Sequence, residues 1–77
     1  MNIERLVNMA NQIGIFFEAQ PDRDEAVASV ADHLKRFWEP RMHEAIQSHW
    51  LAGGEGIREI VADALKKLAA EKQKTSA

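Results

Sequence analysis

The 77-residue chain has no cysteine and no tyrosine. Without thiols it can form neither a disulfide nor a thiolate-ligated metal site, and cysteine usage says nothing about its redox compartment. A domain this small, with no such staple, is expected to be only marginally stable alone. Long apolar runs are also missing: no stretch approaches the roughly 20 residues that a membrane-spanning helix needs. The opening "MNIERLVNMANQ" has early charges at Glu4 and Arg5 and no apolar segment leading to a small-residue cleavage site, unlike a signal peptide. These absences lead to the expectation of a cytoplasmic protein with no membrane contact. Neither sign of charge dominates, with 10 Lys and Arg against 12 Asp and Glu. The formal net charge of -2 argues against a protein built wholly to bind polyanions, though it leaves room for a local basic patch.

What is present is the material of a folded helical domain: 45% hydrophobic and 29% charged residues. Ile3, Leu6, Val7, Ala10, Ile13, Gly14 and Phe17 recur at three- and four-residue steps, predicting a first helix from about Asn2 to Ala19, with Asn2 as N-cap. Pro21 ends it, because a proline disfavours helical geometry in the residue before it. Asp22 and Glu25 have the spacing of a capping box, and Asp24 adds negative charge where the helix dipole favours it. A second helix follows from about Arg23 to Trp38, with the apolar stripe Val27, Val30, Ala31, Leu34, Phe37 and Trp38. Asp32 and Arg36, four apart, are placed to pair on its outer face.

Pro40 fits the first position of a third helix, where its missing N–H costs nothing. "FWEPRM" therefore reads as a helix–helix corner with Glu39 as a weak cap. The third helix runs from about Pro40 to Leu51, and Gly53 or Gly54 then supplies the left-handed residue that closes it. A fourth is predicted from about Gly56 to Glu71, carrying Ile57, Ile60, Val61, Ala64, Leu65 and Leu68. The expected fold is all-α: one compact bundle of about four short helices over residues 1–71, followed by a polar, disordered tail at 72–77.

The side chains offer little to catalysis. Ser48 and His49 are adjacent, and adjacent residues on a helix diverge by about 100° instead of meeting as nucleophile and base. Gly53, Gly54 and Gly56 precede a helix, but no strand comes before them, no phosphate-binding lysine follows, and Glu55 would repel an anion. Glu39 and His43 can share a helical face, with His49 off it; two ligands fall short of the three or four a zinc site uses. "HLKRFWEPRMH" interleaves bases with aromatics, yet the third helix has only Arg41 as a strong base and Glu44 would face phosphate, so a helix-turn-helix is not supported. No catalytic residue, cofactor ligand, metal ligand or nucleic-acid contact is assigned.

Protein binding is better supported. Met9, Ile15 and Phe16 lie outside the core-facing centre of the first helix, and Trp50 and Leu51 add apolar surface at the end of the third. So much apolar surface on so small a chain points to a second covered face. Self-association, or a freestanding interaction module, is the alternative.

Three stretches then narrow the reading: "LVNMANQIGIFFEAQP", "VADHLKRFWEPRM" and "AGGEGIREIVADAL", in this order and at these spacings. They closely resemble the small delta subunit of cytoplasmic, molybdenum-containing, NAD-dependent formate dehydrogenases, from Leu6 to about Leu65. The most specific parts are "MANQI" and "HLKRFWEPRM". The resemblance implies a non-catalytic accessory subunit that helps to assemble or stabilise the enzyme or to mature its molybdenum centre. It implies the catalytic subunit of the formate dehydrogenase as partner. It also places the molybdenum cofactor, iron–sulfur clusters and FMN in other subunits. Within the matching motifs, Asn11, Gln12, Phe16, Arg36, Trp38, Arg41 and Met42 are the expected docking residues. Asn11 and Gln12 have no evident capping role, and arginine binds carboxylate or phosphate through two parallel hydrogen bonds.

Overall fold

A computed structural model describes residues 2–75, with side chains described as far as Glu71. Four helices follow one another: α1 (Ile3–Glu18), α2 (Arg23–Phe37), α3 (Pro40–Leu51) and α4 (Glu59–Thr75). No strand occurs among the described residues, so the all-α expectation holds.

The first three helices start where the punctuation placed them. Asn2 accepts hydrogen bonds from the backbone N–H groups of Glu4 at 2.9 Å and Arg5 at 3.3 Å, using two donors that the helix itself leaves unpaired. Asp22 does the same for Glu25 at 3.2 Å. In α2, Asp24 and Glu25 stand in the first turn and Lys35 and Arg36 in the last, so both ends complement the helix dipole. Helix α3 begins at Pro40 with no side chain on its free N–H groups; the Glu39 carbonyl instead accepts from Met42 at 2.9 Å and His43 at 3.1 Å.

Helix α3 closes through the glycines. The Gly53 N–H donates to the Trp50 carbonyl at 3.1 Å and the Gly54 N–H to the His49 carbonyl at 2.9 Å. That nested pair is the Schellman arrangement, which needs positive φ after the helix. Gly53 and Gly54 provide it at 124° and 66°.

The core is one cluster fed by all four helices: Leu6, Val7 and Ala10 of α1, Val30 and Leu34 of α2, Ile46 of α3, and Ile60, Val61 and Leu65 of α4, among others. The broadest helix pairing is α2 with α4. The backbones of α1 and α4 approach closely at Gly14, where an added Cβ would lie 2.9 Å from Cγ2 of both Ile60 and Val61. Polar side chains tie the elements together. Gln47 donates from Nε2 to the Leu65 carbonyl at 3.2 Å, and Arg23 reaches Asp63 at 3.3 Å. The Cα radius of gyration, 11.7 Å, is that of a close-packed chain of this length, about 11.5 Å by the usual scaling. No described helix is long and apolar enough to cross a membrane.

Two expectations need correction. Helix α4 begins at Glu59, three residues later than its apolar period indicated. Gly56 has φ of 83°, which no helix accommodates, and Asn11 of α1 grips the backbone on either side of Ile57. Its Nδ2 donates to the Gly56 carbonyl at 2.9 Å and its Oδ1 accepts from the Arg58 N–H at 3.0 Å. Asn11 is thus a cap supplied from another helix. Phe37 is the second correction. It shares the helical stripe of Val30 and Leu34, yet it is 70% exposed. Helix α2 ends at Phe37, and Trp38 adopts an extended backbone, φ -91° and ψ 136°. At such a corner the two adjacent aromatics part: Trp38 turns inward, 7% exposed, and Phe37 stays out. At the other end of the chain, α4 runs to Thr75 and so enters the segment expected to be a polar tail. Ser76 and Ala77 lie outside the described residues.

Candidate docking surface

Helix α1 carries a second stripe outside its core face. Arg5, Met9, Gln12 and Phe16 follow at steps of four, three and four residues and are all exposed, which places them along one flank. Phe16, at the end of the stripe, is 73% exposed.

Phe16 does not stand alone. Its ring meets that of Phe17 edge-on, with centroids 5.0 Å apart and planes at 83°. Phe17 meets His33 of α2 at 6.3 Å, and His33 meets Phe37, one turn along, at 4.8 Å. Four rings therefore run in series from α1 across α2. The middle two, Phe17 and His33, are half-buried, and the outer two stand in solvent. Edge-on packing, as in Phe16 on Phe17, adds about 0.5–1.5 kcal/mol beyond burial; His33 and Phe37 are tilted at 47°.

Lys35, Arg36 and Arg41 are exposed. Arg36 is held by Asp32 at 3.1 Å, so it is already engaged instead of free. Lys35, Arg41 and the Arg5 of the α1 stripe make no ion pair among the described residues. Exposed carboxylates stand among them: Asp32 on Arg36, Glu39 at the corner and Glu44 one turn after Arg41. Most other acids lie elsewhere: Asp22, Asp24 and Glu25 at the start of α2, Glu55 in the glycine turn, Glu59 and Asp63 in α4.

The seven docking candidates are distributed as follows. Gln12, Phe16, Arg36 and Arg41 are exposed, Asn11 and Met42 are half-buried, and Trp38 is buried. Asn11 spends its amide on Gly56 and Arg58, and Met42 packs against the core. Phe16 and the arginines are brought to the surface; Trp38 holds the corner in which they sit. Sequence reasoning missed Phe37 and His33. The signal was present: a corner in which one of two neighbouring aromatics must point outward, with His33 four residues before it.

Other sites are weaker. An open cleft of about 500 Å³ is lined by Ile3, Glu4, Val7, Asn8, His49, Glu55 and Gly56. Within it, His49 donates from Nε2 to the Glu55 carbonyl at 2.7 Å, which braces the glycine turn. Among the described residues no three His, Asp or Glu side chains gather as metal ligands.

No curated protein and no solved structure matches this chain. The model of the NADH-dependent formate dehydrogenase delta subunit family, FdsD, matches residues 5–65. That span takes in the α1 stripe, all four rings, the corner between α2 and α3 and the core of α4. The chain belongs to the NADH-dependent formate dehydrogenase delta subunit family.

Proposed function

We propose that this chain is a non-catalytic accessory subunit of a cytoplasmic formate dehydrogenase. It docks on the catalytic subunit and assists its assembly, its stability or the maturation of its molybdenum centre. The molybdenum cofactor, iron–sulfur clusters and FMN belong to the partner subunits, and this chain contributes surface and not reactive groups. The observation that carries the reading is that a member of a delta-subunit family presents two phenyl rings, 73% and 70% exposed, at the ends of a series of four rings. Exposed aromatics of that size are enriched where proteins meet.

The test is co-expression of the tagged chain with the enzyme's other subunits. The catalytic subunit is expected to be retained on the tag. Omitting the chain is expected to lower formate oxidation and the molybdenum content of the purified enzyme. If the enzyme forms, loads molybdenum and turns over equally well without it, the accessory role is wrong.

A further inference from the structure

We infer that α3 is a hinged arm, which leaves the bundle as one unit while α1, α2 and α4 stay packed. Opening bares the apolar side of Met42, Ile46 and Trp50 without unfolding the rest. The arm is a property of the chain alone and does not depend on the accessory role.

The arm is lightly seated. Of the 12 residues of α3, Ile46 alone is buried, whereas α1 and α2 bury four each. Helix α4 buries Ile60, Val61, Ala64 and Leu65. Met42 and Trp50 are half-buried against the core, and Leu51 is 76% exposed. Gln47 ties the arm to α4 through the Leu65 carbonyl at 3.2 Å. The element that buries least opens at the lowest cost.

Both of its ends can turn. Trp38 and Glu39, before α3, have extended backbones with ψ of 136° and 156°, and no side chain caps the helix start. After it come Gly53 and Gly54, with φ of 124° and 66°. Glycine absorbs large backbone rotations at little steric cost. A Cβ added at Gly53 would meet nothing within 4 Å, so this hinge has room. The His49 bond to the Glu55 carbonyl, 2.7 Å, lies within the far hinge.

Beyond each hinge the chain is anchored. Trp38 is buried on the near side. On the far side Asn11 holds the Gly56 carbonyl and the Arg58 N–H, and Glu18 holds the Arg58 guanidinium. Arg23 of α2 reaches Asp63 of α4. The clamps made by Asn11, Glu18 and Arg23 join α1, α2 and the entrance of α4 to one another, and none of them passes through α3.

Native-state hydrogen exchange on the full-length chain tests the arm. Detached from the core, a helix of 12 residues is marginal in water, so its amides exchange in the open form. Amides at residues 46–49 are expected to share one opening step with a shallow urea dependence. Those of Leu34 and Leu65 are expected to exchange by global unfolding, with the full dependence. Asp22→Ala removes the α2 cap on Glu25, and α2 remains folded when the arm opens. It is expected to speed exchange at Leu34 and Leu65 about fivefold and to leave residues 46–49 unchanged. Ala26→Gly, which weakens α2 by helix propensity, repeats the test at a second position. If residues 46–49 follow Leu34 in urea dependence and in both variants, α3 opens only with the whole bundle and the arm is wrong. Scattered rates at 46–49 with no common urea slope mean fraying in place of a moving unit, and overturn it equally.

Discussion

Asn11 and Arg58 meet across 47 positions of sequence: the Asn11 side-chain oxygen accepts the Arg58 backbone N–H at 3.0 Å. Two turns further along α1, Glu18 takes the Arg58 guanidinium at 3.0 and 3.3 Å. Helix α1 thus holds both the backbone and the side chain of the residue that precedes α4. This explains why α4 can start cleanly although no Ser, Thr, Asp or Asn stands at its entrance.

Replacing Asn11 with alanine removes the acceptor for Arg58 and the donor to Gly56. Loss of a capping residue costs typically about 1 kcal/mol, and the site is open enough for water to take over part of the role. Urea unfolding of Asn11→Ala is therefore expected to show a loss of about 1 kcal/mol; Asn11→Asp keeps the acceptor for Arg58 but sets a carboxylate oxygen against the Gly56 carbonyl, and is expected to recover little of it. An unchanged midpoint for Asn11→Ala would mean that the clamp contributes nothing.

Glu18 makes a pH prediction. Its hydrogen bond from Arg58 is the largest influence on it and holds its carboxyl below the usual carboxylate range. A depressed folded-state pKa adds stability that is complete above the unfolded-state value and fades as pH falls through the folded one. Stability is accordingly expected to drop in the acid region below the ordinary glutamate value of 4.5, and the drop to be shallower in Glu18→Gln. Carboxyl chemical shifts followed through an acid titration would show whether Glu18 titrates below its ordinary value of 4.5.

Gly14 tests the closeness of α1 and α4. Alanine there would gain up to about 1 kcal/mol of helix propensity. Its Cβ, however, meets Ile60 and Val61 at 2.9 Å, and β-branched side chains have little room to move aside. Overpacking of this kind costs about 1–3 kcal/mol, so Gly14→Ala is expected to be destabilised on balance. A raised melting temperature would contradict the close approach.

Trp38 and Phe37 are neighbours with opposite environments. Deleting a buried tryptophan costs about 3–5 kcal/mol, a large share of the total stability of any small domain. Surface changes usually stay within about 0.5 kcal/mol. Thermal melts are expected to show Trp38→Ala largely unfolded and Phe37→Ala close to wild type. Equal effects would mean that the corner is built differently.

Much of this protein was legible locally. Asn2, Asp22 and Pro40 mark helix starts by chemistry confined to a few residues, and all three helices begin where those residues predict. The apolar period of α1 and the glycines after α3 are equally local signals. The motifs "MANQI" and "HLKRFWEPRM" were likewise enough to identify the family. Tertiary contact decided the rest. Whether Phe37 is buried depends on where α2 stops relative to its neighbours, which periodicity does not encode. Asn11 looked unoccupied because its partners, Gly56 and Arg58, are adjacent only after α1 has packed beside the α4 entrance. The ring series from Phe16 to Phe37 exists only because two helices bring Phe17 and His33 together. Local sequence fixes caps and periods because those interactions span a turn or two. A surface made from two helices is set by how their cores interlock, and that is a property of the whole bundle.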